Sequence, residues 1–88
     1  MEKIEGSATI KSIHGLHARP AAVFVQLANK FDACVVLEKE GEKVDGKSII
    51  AILSLGVQSG SVVKLTVEGD DAREAFGELK GFLEKEHD

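Results

Sequence analysis

Three separated stretches alternate apolar and polar residues, and this alternation limits the folds open to the chain. Ile4, Gly6, Ala8 and Ile10 alternate with Lys3, Glu5, Ser7, Thr9 and Lys11. Ala33, Val35 and Leu37 do the same, as do Val63, Leu65 and Val67 against Lys64, Thr66 and Glu68. Successive side chains of a strand point to opposite faces, so period two means a strand with one dry face and one wet face. Strands buried on both faces of a parallel sheet read instead as continuous apolar runs. Glu40-Gly41 is a turn signal, and Glu42 to Gly46 reads as a short further strand, hairpinned to the one before it.

Helical stretches lie between the strands. Ser12 to Gly15 is a loop, and the first helix runs from Ala18 to Lys30. Ala22, Val23 and Leu27, with Val25 and Phe31, are expected to form its buried face. Ser48 offers an N-cap to a short second helix, Ile49 to Leu55, which Gly56 stops. That helix is apolar nearly all round, yet two turns can bury only one stripe, so part of it is expected to stay exposed as an interaction surface. Gln58 to Ser61 is a turn. Gly69-Asp70-Asp71 breaks the chain and caps a third helix, whose Ala72, Ala75, Phe76, Leu79, Phe82 and Leu83 share one face. Glu84 to Asp88 is a charged tail, and no role is expected for His87 within it. The order βαββαβα predicts an α+β fold, with an antiparallel or mixed sheet and helices on one face.

The 88 residues suffice for one small domain, 1–88, and 43% hydrophobic residues supply one core. Eleven basic and fifteen acidic residues leave a net charge of −4. With no basic run, and four Phe but no Trp or Tyr, direct nucleic-acid binding is not expected. One cysteine, Cys34, cannot form an intramolecular disulfide and fits a reducing cytoplasm. It should face away from Val35, without a redox or metal role. No apolar run is long enough for a membrane span, and Met1 leads directly into charged, strand-like sequence rather than a signal peptide. A cytoplasmic protein is expected.

The chemistry concentrates in Gly15-Leu16-His17-Ala18-Arg19-Pro20-Ala21-Ala22. Pro20 suits a first helical turn, because its missing N–H costs nothing there and its φ fits. Gly15 permits a sharp approach. His17 therefore sits at or beside an N-cap, where unpaired amides and the helix dipole favour negative charge. Arg19 adds a guanidinium fork suited to phosphate. The residues alone leave two readings: phosphoryl or anion chemistry, or a surface histidine serving as a weak cap.

Gly41-Glu42-Lys43-Val44-Asp45-Gly46-Lys47-Ser48 matches the phosphate-loop pattern G-x-x-x-x-G-K-[ST] letter for letter. Its context argues against that use. Such a loop follows a buried parallel strand and opens a long helix, whereas here Glu38-Lys39-Glu40 precedes it and a short helix follows. Val44 reads as a strand residue, and no later apolar strand ends in a metal-binding Asp.

Gly15 to Ala22, together with Lys47-Ser48-Ile49-Ile50 through Ser54-Leu55-Gly56, resembles the active-site and regulatory-serine segments of HPr, the histidine phosphocarrier family of the bacterial sugar phosphotransferase system. The resemblance implies an open-faced β-sandwich, a four-stranded antiparallel sheet with three helices on one face. It implies that His17 takes a phosphoryl group on Nδ1 from phospho-enzyme I and passes it to a sugar-specific IIA component. Ala18 and Arg19 amides and the Arg19 guanidinium would stabilise the phosphate, with no metal and no cofactor. The chain would be a carrier rather than a stand-alone catalyst, and a monomer. Ser48 corresponds to the serine that an ATP-dependent HPr kinase modifies in many relatives, linking the family to carbon catabolite repression through a transcription factor. The shared docking surface would comprise Ala18, Arg19, Ala22, Ile49, Ile50, Leu53 and Gly56. His14 departs from the family's usual Asn, Ser or Thr, and is expected to face solvent or make a weak contact. The alternative is an HPr-like regulatory module, of a nitrogen-type branch or one that binds partners without carrying phosphate. Regulators that lost carrier function tend to lack the histidine, which this chain keeps.

Overall fold

Each period-two stretch becomes a strand in the computed structural model, which describes residues 2–85. His87 and the end of the charged tail lie outside the described residues. The elements are β1 (Glu2–Thr9), α1 (Ala18–Ala28), β2 (Cys34–Lys39), β3 (Glu42–Asp45), α2 (Ile49–Ser54), β4 (Val62–Gly69) and α3 (Ala72–Leu83). The sheet order is β1-β4-β2-β3, and every pairing is antiparallel. This resolves the sheet as antiparallel rather than mixed, with the helices on one face.

The register sets apolar residues opposite apolar residues. Ile4, Val67 and Val35 form one row across the sheet, and Gly6, Leu65, Leu37 and Val44 form the next. Cross-strand pairs of this kind are the stabilising units of a sheet. The three helices cover this face, α3 over β1 and β4, and α1 touching both other helices. The alternate residues, Lys3, Glu5, Ser7, Cys34, Lys64 and Glu68, are exposed on the other face. Cys34 thus points away from Val35, as the alternation requires.

The buried face of α1 departs from expectation. Pro20, Ala21, Phe24 and Ala28 are its buried residues. Val23, expected inside, is 38% exposed, and Ala22 is only half-buried. Val25 and Leu27 pack at the core's margin, while Phe31 is buried beyond the helix end. The run Ala21-Ala22-Val23-Phe24-Val25 is apolar throughout, so local sequence does not phase it. The largest ring of the run, Phe24, takes the interior place, and its burial removes the most apolar area from water. The helix also ends at Ala28 rather than Lys30, with Asn29 as C-cap.

Asp71 occupies the N-cap of α3 without a side-chain capping bond. Its carboxylate instead accepts from the amides of Asp32 at 2.9 Å and Ala33 at 3.0 Å, clamping the turn between α1 and β2. The β2–β3 hairpin turns on Glu40 (φ 52°) and Gly41 (φ 84°), both left-handed, as a two-residue type I′ turn requires. The phosphate-loop look-alike is therefore hairpin and strand. Gly46 N–H donates to the Val35 carbonyl at 2.7 Å, and Lys47 Nζ donates to the Phe31 carbonyl at 2.8 Å. Its lysine is thus engaged with the end of the α1 segment.

Candidate functional site

The site is built by the loop that feeds α1. Gly15 N–H donates to the Ser12 carbonyl at 3.0 Å, closing a four-residue turn, and Leu16 N–H donates to the Val57 carbonyl at 3.0 Å. Gly15 has φ +75°, and a Cβ there would stand 2.3 Å from the Val57 carbonyl oxygen. A glycine is required on both counts: the left-handed backbone and the absence of room. Leu16 is buried beneath the loop.

His17 is the N-cap of α1, in extended conformation, and its carbonyl accepts the first helical bond from Ala21 N–H at 3.0 Å. Its side chain makes no capping bond. Pro20 has no N–H to satisfy, so the open donors of the first turn are the amides of Ala18 and Arg19. Neither has a partner among the described residues, and the first turn of α1 carries no acidic residue. Nothing there competes with an incoming anion for the positive end of the helix. Arg19 is exposed and has no ion-pair partner among the described residues.

The His17 ring is half-buried, and its two nitrogens differ. Nε2 is sealed from solvent and has no hydrogen-bond partner. A group arriving from outside can therefore meet the ring only through Nδ1. His14, exposed in the loop, stands with its ring centre 5.7 Å from that of His17, at an interplanar angle of 74°, so one ring turns its edge toward the other. The expectation of solvent or a weak contact for His14 is met in both parts.

Ser48 is the N-cap of α2, and its Oγ accepts from Ala51 N–H at 3.2 Å. Gly56 follows the helix with φ +63°, the left-handed stop that suits glycine. Of the expected docking residues, Ala18, Arg19, Ile50, Leu53 and Gly56 are exposed, and Ala22 and Ile49 are half-buried. Ile50 is 76% exposed and is the most exposed large apolar side chain of the described residues. Ile13 and Val23 are further exposed apolar residues on the same loop and on α1. Sequence reasoning missed both, Val23 because the helix was phased one residue off and Ile13 because a single apolar residue in a loop carries no signal. No helix among the described residues is long and apolar enough to cross a membrane.

Residues 4–85 match the family described as "PTS HPr component phosphorylation site". The chain is 47% identical over 83 residues to the HPr-like protein Crh of Halalkalibacterium halodurans, covering 94% of this chain and 99% of that protein. Phosphocarrier protein HPr of Bacillus anthracis str. Ames superposes with a TM-score of 0.90 at 41% identity, over 94% of this chain and 99% of that one. Crh of Bacillus subtilis, a catabolite-repression protein described as a domain-swapped dimer, superposes with a TM-score of 0.76 at 45% identity, over 86% of this chain and 87% of that one. The open-faced sandwich, the histidine at the start of α1 and the serine at the start of α2 come together in a chain that belongs to the HPr family.

Proposed function

We propose that this protein is a phosphocarrier of the phosphotransferase system that works through His17. The observation that carries the reading is the His17 ring at the head of α1, with Nε2 sealed and the amides of Ala18 and Arg19 unpaired. The Nδ1 lone pair attacks the phosphorus of phospho-enzyme I. The N–P bond to His17 forms as the donor's bond to phosphorus breaks, and the electron pair of that bond returns to the donor. Ala18 and Arg19 amides and the Arg19 guanidinium meet the phosphoryl oxygens through charge-assisted hydrogen bonds. The site stays open to solvent, which keeps the phosphate transferable to a sugar-specific IIA component.

Ala18, Arg19, Ala22, Ile49, Ile50, Leu53 and Gly56 form the surface for enzyme I and the IIA components. A modest interface suits a carrier that must leave each partner in turn. The working location is the cytoplasm, and the working form a monomer, whose size-exclusion and light-scattering mass separates it from the dimer described for Bacillus subtilis Crh. The similarity to Crh favours a second reading, an HPr-like regulator in carbon catabolite repression. In that role Ser48 is phosphorylated by an ATP-dependent HPr kinase, and the modified surface at Ile49 and Ile50 meets a transcription factor. Phosphate at Ser48 changes charge at a helix start without requiring unfolding.

One experiment addresses both readings. The protein is incubated with phosphoenolpyruvate and enzyme I, or with host lysate and ATP, and read by intact mass and acid lability. The carrier reading predicts one acid-labile phosphate, lost in His17→Ala while the fold survives. The regulatory reading predicts an acid-stable phosphate, lost in Ser48→Ala. Failure of the first with the host's own enzyme I would leave only the regulator.

A further inference from the structure

We propose that Lys39 is a positioning residue for His17: from the end of β2 it holds the backbone on which the loop feeding α1 is seated. The kinetic part of the inference rests on the carrier reading above. It starts from an anomaly in the alternation. Ala33, Val35 and Leu37 are buried on the sheet face that the helices cover. Lys39, the last residue of β2, falls on that same face by period two. A lysine there must carry its ammonium out to an acceptor or to water. Its side chain is only 21% exposed, so most of the stem is packed. Its Nζ donates to the Gly56 carbonyl at 3.2 Å. The Glu40 carboxylate also stands 3.8 Å from Nζ, but it is 84% exposed, and an ion pair of that kind contributes little.

The Gly56 carbonyl belongs to the peptide that leads into Val57. The next carbonyl, that of Val57, accepts from Leu16 N–H at 3.0 Å and stands against the place where Gly15 has no side chain. Leu16 directly precedes His17. Two hydrogen bonds and one residue step on each side therefore join the Lys39 ammonium to His17. The seat lies in the turn between α2 and β4. The far end of that turn is tied by Gly60 N–H, which donates to the Ile10 carbonyl at 2.7 Å. Its near end is where Lys39 holds. Residues 48–63 contain no ionisable side chain, so a charged hold on this segment has to come from elsewhere in the fold. Among the described residues, Lys39 is the donor to the Gly56 carbonyl. Fixing the seat in advance reduces the ordering that His17 needs when a phosphoryl group arrives.

The test compares the full chain with Lys39→Met, which keeps an unbranched apolar stem but loses donor and charge, and with Lys39→Arg, which keeps both. Hydrogen exchange of the Leu16 amide, followed by NMR, is expected to be roughly three- to tenfold faster in Lys39→Met, a part of what one charge-assisted hydrogen bond supplies. The Ala33 amide, held by Asp71 at the other end of β2, should exchange as in wild type. In phosphoryl transfer from phospho-enzyme I, kcat should fall by a similar factor with KM unchanged. Lys39→Arg should restore both readouts. Urea unfolding should find Lys39→Met at least as stable as wild type, because methionine suits a dry face. Where Lys39→Met does not fold, Lys39→Gln takes its place with smaller effects of the same sign. Leu16 exchange unchanged in Lys39→Met would overturn the proposal, as would Leu16 and Ala33 accelerating together, which means general loosening. A rise in KM with kcat intact would overturn it too, since Lys39 would then serve docking. If wild type takes no phosphate from the host's own enzyme I, the carrier reading fails by itself, and Leu16 exchange still decides whether Lys39 holds the seat.

Discussion

At the scale of single residues, the site depends on one backbone position and one half-buried ring. The motif around His17 was legible because it is local. A proline in the first turn, a histidine just before it and an arginine two residues after the histidine define the head of a helix without tertiary information. What surrounds the ring was not legible. The sealing of Nε2 and the approach of His14 are tertiary features, which only the folded chain specifies. Gly15 is where dependence on the fold is sharpest. Gly15→Ala forces a left-handed backbone on alanine and drives its Cβ into the Val57 carbonyl. The variant is expected to lose at least about 2 kcal/mol, and to lose phosphoryl acceptance with it, as urea unfolding and a phosphotransfer assay would establish. A variant as stable as wild type would mean that the loop does not need this seat.

At the scale of elements, alternation places the strands, whereas the apolar run of α1 suggests a face one residue out of phase with the one the helix buries. Alternation fixes which side of a strand is inward, so Val35, Leu37, Val63, Leu65 and Val67 are all found in the core. A helix stretch apolar at five successive positions offers no such signal. The four buried positions 20, 21, 24 and 28 follow helical spacing, but so would a face centred on Val23. Two substitutions separate these phases. Phe24→Ala should cost about 3–5 kcal/mol, as loss of a buried ring does. Val23→Ala should cost less than about 1 kcal/mol. Chemical denaturation of both checks this, and the opposite ranking would restore the phase that the sequence suggested. Asp71 carries a related lesson. Its place before a helix implied a capping side chain, but its carboxylate reaches the amides of Asp32 and Ala33 across the fold, a long-range contact that no local pattern encodes.

At the scale of the whole molecule, one sheet face is dry and covered by three helices, and the other is open to water. This was legible from alternation and element order. The sequence alone left the sheet antiparallel or mixed, and the register settles it. The ends of the fold are joined by Glu84, just past α3. Its carboxylate is held below the usual range first by the hydrogen bond from Lys80, then by that from Thr9 N–H at the end of β1. A depressed acid stabilises the folded state above its unfolded-chain value and loses that contribution as pH falls through the folded value. Glu84→Gln should therefore be less stable than wild type at pH 7. The gap should close as pH falls below the ordinary glutamate value of 4.5, in urea unfolding at several pH values. A gap that widens toward acid would mean that the carboxylate is not stabilised by these partners. The fold seals Nε2 of the His17 ring, and the account stands on the other nitrogen, Nδ1. The most direct test is nitrogen-15 and phosphorus-31 NMR of the phosphorylated protein. Phosphate on Nδ1 of His17 is the result predicted. Phosphate on Nε2, or on a histidine other than His17, would contradict it.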